Sequence, residues 1–198
     1  MNTDAPNWYG EAAQSIAPVG VMMASFLLVY TVWFGFAWGA LGWILFSLSI
    51  LLASFLVVKS IQNIKHSKLF ENKQTTEGKR INKLMGILSG VSYGILWLAV
   101  ILLFIFDLSV FIMPIVTLII GLHFIPQAKI MNRKIDYFVA PLPIISAVIS
   151  IFLGIQSDLT WLYIYAIASI GGALATSIYG LYILRTYKKM AKENDVSY

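Results

Sequence analysis

The side chains that could carry out chemistry in this sequence are few, and His123 is the most distinctive of them. It lies in the segment GLHFIPQAKI, whose other residues are mostly apolar, and Gln127 follows four positions later. On a helix both side chains share one face. Because ionisable side chains inside apolar membrane helices mark functional sites by default, the pair predicts a polar binding pocket. The alternative is a neutral histidine that is hydrogen-bonded to a neighbouring helix and has only a structural role.

Hydroxyl-bearing side chains provide a second set of candidates. Ser89 and Tyr93 are also four residues apart, in the apolar segment that precedes that of His123, and they could line the same interior. Hydroxyls in membrane helices more often bond to their own backbone, so a structural role competes with this one. The candidate ligand-binding residues are therefore His123, Gln127, Tyr93 and Ser89.

Several kinds of chemistry are excluded by residues that the sequence lacks. The chain has no cysteine, which excludes disulfides and thiolate chemistry, and His66 is the only other histidine. No His-x-x-x-His motif or acidic cluster completes a coordination sphere, so we expect no metal and no cofactor. No nucleophile, base and orienting residue can be recognised together. We therefore predict no catalytic residues and favour a non-enzymatic protein.

Six apolar stretches are long enough to place these residues inside a membrane. Hydrophobic residues make up 59% of the 198-residue chain and charged ones 12%, whereas soluble domains usually carry about 25% charged residues. About 20 helical residues cross the hydrocarbon core. The stretches are 19–38, 41–58, 84–106, 108–128, 138–155 and 161–184. They predict an all-α membrane protein, a six-transmembrane-helix bundle forming one domain over 1–198, with a bend at Pro114.

The positive charges lie on one side of this predicted bundle. All 14 Lys and Arg residues fall in 59–83, 129–136 and 185–198, with seven, three and four respectively, and the intervening turns have none. Since Lys and Arg near membrane ends stay in the cytoplasm, both termini and the basic loop 59–83 are predicted to be cytoplasmic. Orientation and attraction to anionic inner-leaflet lipids account for the net charge of +5, so no nucleic-acid partner is expected.

Small residues recur at helical spacing on two of the predicted spans. They are Gly86, Gly90 and Gly94 on the third span and Gly172, Thr176 and Gly180 on the sixth. In lipid, helices associate where small side chains let the backbones approach closely. We expect both sets to make helix contacts within the chain. The alternative is a seam with a second copy or another protein.

The segment around His123 also resembles a known group of sequences. Gly121, Leu122, His123, Phe124 and Pro126 follow a helix containing glycine and tryptophan and precede a basic loop and DYFVAP. This pattern is similar to that of a family of small bacterial multi-pass membrane proteins with a Gly-Leu-His-Phe-x-Pro helix, over residues 84–154. The resemblance implies a bacterial inner-membrane protein. It implies no activity, because none is assigned to that family.

Three functions are consistent with these features. The first is a non-enzymatic protein of the inner (plasma) membrane that binds or transports a small molecule through a cytoplasm-facing pocket around His123. The second is a membrane-embedded enzyme acting on lipid, which needs a carboxylate such as Asp136 beside His123. The third is a structural, immunity or accessory subunit that binds a partner through a glycine face. Lipid-facing glycines at 86, 90 and 94 would favour the third.

Overall fold

The described part of the chain folds into seven α-helices and one short 3-10 turn. The computed structural model describes residue 6 and residues 8–196, and it contains no strand in that part of the chain. The helices are α1 (Tyr9–Ile16), α2 (Val19–Ser67), α3 (Thr76–Ile105), α4 (Ile112–Met131), α5 (Lys134–Val139), α6 (Pro141–Gln156) and α7 (Trp161–Glu193), with the 3-10 turn at Ser109–Phe111 before α4.

Among the described residues, five helical segments are long and apolar enough to cross a membrane. Large apolar side chains cover their outward surfaces: Leu51, Trp97 and Phe104 are 68%, 62% and 72% exposed. Such a surface is unstable in water but suits lipid, which is as apolar as these side chains. The chain is therefore an all-helical protein of the multi-pass membrane type.

The longest helix, α2, is interrupted in its middle. Trp38 and Gly39 leave helical backbone geometry, and Gly39 has φ +57° and ψ −132°. Only glycine adopts this conformation without strain, because it has no Cβ to meet the flanking carbonyl groups. The break divides α2 into a first arm, residues 19–37, and a second arm, residues 40–67.

The two arms of α2 run back along each other. Next to the break, a Cβ added to Gly42 would overlap the carbonyl group of Phe34. At the other end of the two arms, a Cβ added to Gly20 would lie 3.1 Å from Ser60. The Ser60 hydroxyl donates to the carbonyl oxygen of Ala17 at that far end. Contacts at both ends describe a tight helical hairpin, and its arms contain the first two apolar stretches of the sequence.

The helices differ from the predicted spans mainly by extending into the basic segments. Residues 59–67 and 76–83 extend α2 and α3, so the non-helical part of the expected loop 59–83 is only 68–75. Glu, Lys and Arg favour helix as strongly as most apolar residues do, so the helices continue beyond their apolar portions. Pro114 lies in the first turn of α4 rather than in the middle of a helix. The backbone amides of a first turn have no partner within the helix, so a proline there removes no hydrogen bond. The bend predicted at Pro114 is therefore absent.

α7 is the central helix of the bundle and packs against α2 and α6. Its small residues make these contacts close. Gly172 lies against the ring of Tyr30, a Cβ added to Gly180 would lie 2.8 Å from Leu56, and Thr176 is buried between them. Gly171, which the sequence pattern did not single out, lies against the backbone of Leu142 on α6.

α3 is peripheral, and its glycines do not make the internal contacts expected from the sequence. Gly86, Gly90 and Gly94 are exposed, and no described atom lies within 4 Å of a Cβ built on any of them. α3 packs along α4 and the 3-10 turn, and Leu96 is its one buried residue. The glycines lie outside the face of α3 that carries Leu96, because a helix that packs on one neighbour leaves its other faces free.

The short helix α1 ties together the basic end of the bundle. Its apolar face packs on Phe70 and Tyr187, which lie in the 68–75 linker and near the end of α7. The Gln14 side chain donates to the carbonyl oxygen of Phe70 at 3.0 Å, and the Glu11 carboxylate accepts from the Thr75 amide at 2.9 Å. Thr75 in turn caps α3. A carboxylate at a helix N-terminus is stabilised by the helix dipole, so α1 holds the start of α3 in place.

Candidate functional site

A cavity of about 290 Å³ lies between the first arm of α2 and helices α1, α3, α4 and α7. Its volume is close to the lower limit of small-molecule sites in proteins, about 300 Å³. Three of the four sequence-predicted ligand-binding residues line it: His123 and Gln127 on α4 and Tyr93 on α3. The cavity thus brings together residues of α3 and α4. The sequence showed that these helices are consecutive in the chain but not which of their residues meet.

His123 is partly buried and is held by α3. Its Nδ1 atom lies 3.0 Å from the hydroxyl oxygen of Ser92, in a hydrogen bond whose direction depends on the tautomer. The ring also lines the cavity. Ser92 makes this contact instead of the predicted Ser89, which lies on the same face of α3 one turn earlier and does not line the cavity. His123 therefore combines a structural bond with access to the cavity.

Gln127 belongs to a buried polar network at the basic end of the cavity. Its amide nitrogen donates to Asp136 Oδ1 at 2.7 Å and to the Tyr179 hydroxyl at 3.1 Å. Arg133 Nε donates to Asp136 Oδ2 at 3.2 Å, and the guanidinium lies 5.4 Å from the centre of the Tyr179 ring. Asp136 is fully buried. Each of the four side chains has at least one partner, so the network links α4, the start of α5 and α7.

Arg133 and Tyr179 are not among the residues that the sequence predicts for the site, and the sequence points to Asp136 only as the carboxylate that an enzyme would need beside His123. The sequence predicts a basic loop over residues 129–136, but the structure has the short helix α5 there, which carries the Asp136 carboxylate back toward α4. The spacing of three residues between Arg133 and Asp136 was a signal for an ion pair. No sequence signal connects either residue to Tyr179, which lies more than 40 positions away and meets them only through packing of α4, α5 and α7.

Asp136 does not complete a catalytic triad with Ser92 and His123. Ser92 and His123 are paired as a nucleophile and a base would be, but Asp136 uses its two oxygens for Gln127 and Arg133. No hydrogen bond joins Asp136 to His123 among the described residues, so the carboxylate does not orient the imidazole as a triad requires. No group of three or more potential metal ligands exists in the described part of the chain either.

Comparisons with known proteins provide no family for this chain. No family model, no curated protein and no solved structure matches it. The resemblance to bacterial proteins with a Gly-Leu-His-Phe-x-Pro helix stays a prediction from the sequence. The function must therefore be argued from the cavity itself.

The cavity is open at one side, between α2 and α3. These two helices flank it without packing against each other along their length. Met22 and Val29 of α2 and Tyr93 of α3 line it and are 47%, 56% and 40% exposed, so they form its mouth. The outer surfaces of both helices are apolar. The cavity is a cleft whose mouth faces the surroundings of the bundle rather than an enclosed void.

Proposed function

We propose that this chain is a non-enzymatic protein of the inner membrane that binds or transports a small molecule in the cleft around His123. The observation that carries the proposal is that His123, Gln127 and Tyr93 converge on one cavity of small-molecule size. A cleft with apolar walls and a few convergent polar groups is the usual form of a binding site. The saturated hydrogen bonds of Asp136 and the lack of a catalytic set favour binding over catalysis.

We further propose six membrane crossings with both termini in the cytoplasm. The hairpin in α2 supplies two crossings, and α3, α4, α6 and α7 supply one each. The segments 59–83, 129–136 and 185–198, which hold all 14 Lys and Arg residues, then lie on the cytoplasmic side and contact anionic lipid headgroups. This places the polar network of Arg133 and Asp136 at the cytoplasmic end of the cleft.

The topology can be tested with introduced cysteines, since the chain has none of its own. We expect Ala40→Cys and Asp158→Cys to react with an impermeant maleimide added outside intact spheroplasts. Lys73→Cys should react only after lysis. Labelling of residue 40 from the same side as residue 73 would show that α2 does not cross the membrane twice and would overturn the six-crossing proposal.

The cleft can be tested by blocking it. We expect wild-type protein in detergent micelles to be stabilised by a small-molecule extract of bacterial membranes, and a ligand at 100 times its Kd adds about 2.7 kcal/mol. Ile120→Trp fills the cleft and should abolish the stabilisation, and His123→Ala should weaken it. Both variants should still insert. The matched control is Ile125→Trp, since Ile125 lies on the same helix outside the cleft and is 38% exposed. Equal stabilisation of all four proteins would contradict the proposal.

A second candidate function is partner binding through α3, and one observation favours it. Gly86, Gly90 and Gly94 face open space, as expected of a surface that another helix covers. On this proposal the protein is an accessory subunit, and the cleft is incidental.

The two functions make different predictions for Gly90→Leu. Since nothing lies near Gly90, the substitution should leave the folded chain intact and leave ligand stabilisation unchanged. If α3 binds a partner helix, the larger side chain should force that helix away from α3. A cross-link formed in native membranes between the partner and Ile87→Cys on this chain should then be lost in Gly90→Leu. If the same cross-linked species form with and without Gly90→Leu, the glycine face of α3 is not the contact.

A further inference from the structure

Arg133 is the only permanently charged side chain among the described residues that line the cleft. Its Nε atom is bound to Asp136 and its guanidinium lies over the ring of Tyr179. These contacts fix the side chain, while its two terminal nitrogens make no hydrogen bond to the described residues. The terminal nitrogens of arginine match the oxygens of a carboxylate or phosphate in pairs. The basic end of the cleft therefore presents an oriented anion-binding group.

The charge around this end is also positive. Segment 129–136 has three cationic side chains, Lys129, Arg133 and Lys134, against one anionic one, Asp136. No carboxylate lines the cleft in the described part of the chain. Asp136 is the counter-ion of Arg133, and the two further cations, Lys129 and Lys134, leave this end of the cleft with a net positive charge, which favours an anion over a cation.

The remainder of the cleft is largely apolar and follows the first arm of α2. On α2 its lining runs from Val19 to Tyr30, which is about 16 Å along the helix axis at 1.5 Å per residue. Five of the seven methionines of the chain line it: Met22, Met23, Met85, Met113 and Met131. Methionine is flexible and polarisable, so walls rich in methionine adapt to apolar ligands of variable shape. These walls suit a hydrocarbon chain.

We propose that the ligand is an anionic membrane amphiphile with a single hydrocarbon chain. Its carboxylate or phosphate binds the terminal nitrogens of Arg133, and its chain lies along the first arm of α2 toward Val29 and Met113. It enters from the bilayer through the mouth between α2 and α3. This inference rests on the proposed binding function of the cleft and specifies the class of ligand.

A photoreactive alkyl phosphate with a diazirine in its chain tests the proposal. The protein is reconstituted in nanodiscs of phosphatidylcholine, irradiated with the probe, and mapped by peptide mass spectrometry. We expect adducts in residues 19–30 and 113–120, and we expect unlabelled alkyl phosphate to prevent them. The corresponding fatty alcohol, which has the same chain and no charge, should label these residues at least tenfold less.

Two substitutions separate the role of the guanidinium from that of general charge. Arg133→Lys keeps a cation beside Asp136, so the fold should persist, but it removes the paired nitrogens and should reduce labelling about tenfold. Lys134→Gln removes one exposed charge from the adjacent position and should reduce labelling less than twofold. Thermal denaturation of both variants verifies that they are folded.

Each part of the inference has a result that overturns it. Equal labelling by the phosphate and the alcohol, or equal effects of the two substitutions, would show that Arg133 does not bind the head group. Adducts spread over the exposed faces of all helices would exclude the cleft as the site. Competition by inorganic phosphate alone would identify a soluble anion as the ligand. If Ile120→Trp still abolishes stabilisation by the extract, the binding function stands although this inference has failed.

Discussion

Replacing Asp136 with alanine is expected to destabilise the folded chain by about 3–5 kcal/mol, which is the range for removing one partner of a buried ion pair. Asp136 is fully buried and accepts hydrogen bonds from Gln127 at 2.7 Å and Arg133 at 3.2 Å. Without the carboxylate, Arg133, whose side chain is 18% exposed, retains a charge with no counter-ion. Thermal denaturation in detergent micelles should show a lower midpoint, by roughly 6–20 °C for a chain of this size.

An exposed ion pair of the same kind provides the control. Lys189 and Glu193 lie 3.6 Å apart on α7 with side chains 74% and 62% exposed, so Glu193→Ala should change stability by less than about 0.5 kcal/mol. Replacing both Arg133 and Asp136 with apolar residues should restore most of the stability that Asp136→Ala loses, because no uncompensated charge remains. Similar losses for Asp136→Ala and Glu193→Ala would show that the network does not anchor α5 to the bundle.

The substitution of glycine by alanine should have opposite effects on α7 and α3. A Cβ on Gly171 would overlap the carbonyl oxygen of Leu142, which is backbone and cannot move without separating α6 from α7. We expect Gly171→Ala to cost about 1–3 kcal/mol, as overpacking does, and Gly42→Ala to have a comparable cost because it forces apart the two arms of α2. Loss of stability in detergent and a reduced yield of folded protein in membranes measure both effects.

Gly90→Ala is the matched variant on α3. No described atom lies within 4 Å of its added methyl group, so only the helix preference of alanine remains, a gain of about 0.5–1 kcal/mol. The same glycine-to-alanine substitution is thus expected to lower the stability of the fold on α7 and to raise it on α3. A loss at Gly90 as well, measured in native membranes but not in detergent, would indicate that a partner helix covers this face in the membrane.

Most of the helical fold could be predicted from the composition and length of the apolar stretches. Lipid requires that backbone polar groups be satisfied within each segment, so long apolar runs in a chain without strand patterns must be helices. Three of the residues that the sequence predicts for a site, His123, Gln127 and Tyr93, line one cleft. An ionisable or amide group in an apolar helix is conspicuous because each such group is costly there.

The partners of those residues could not be predicted in the same way. Ser92 rather than Ser89 contacts His123, and since the two serines share a face of α3, this choice depends on how far along α4 the helix α3 lies. The sequence does not define this offset. The rotation of α3 about its own axis decides in turn that Gly86, Gly90 and Gly94 face outward, although their pattern is as regular as that of the small residues on α7.

By itself, the sequence determined that the chain is helical, that its helices are long and apolar enough for lipid, and that few polar side chains, His123 and Gln127 among them, lie within the apolar segments. These properties follow from local composition, which acts on each segment separately. Only the tertiary structure decided that Asp136 and Tyr179 join Gln127, that Arg133 lines the cleft beside them, and that the cleft opens between α2 and α3. Such properties depend on how helices distant in sequence are rotated and packed, and that is decided by the sum of many contacts that no single segment encodes.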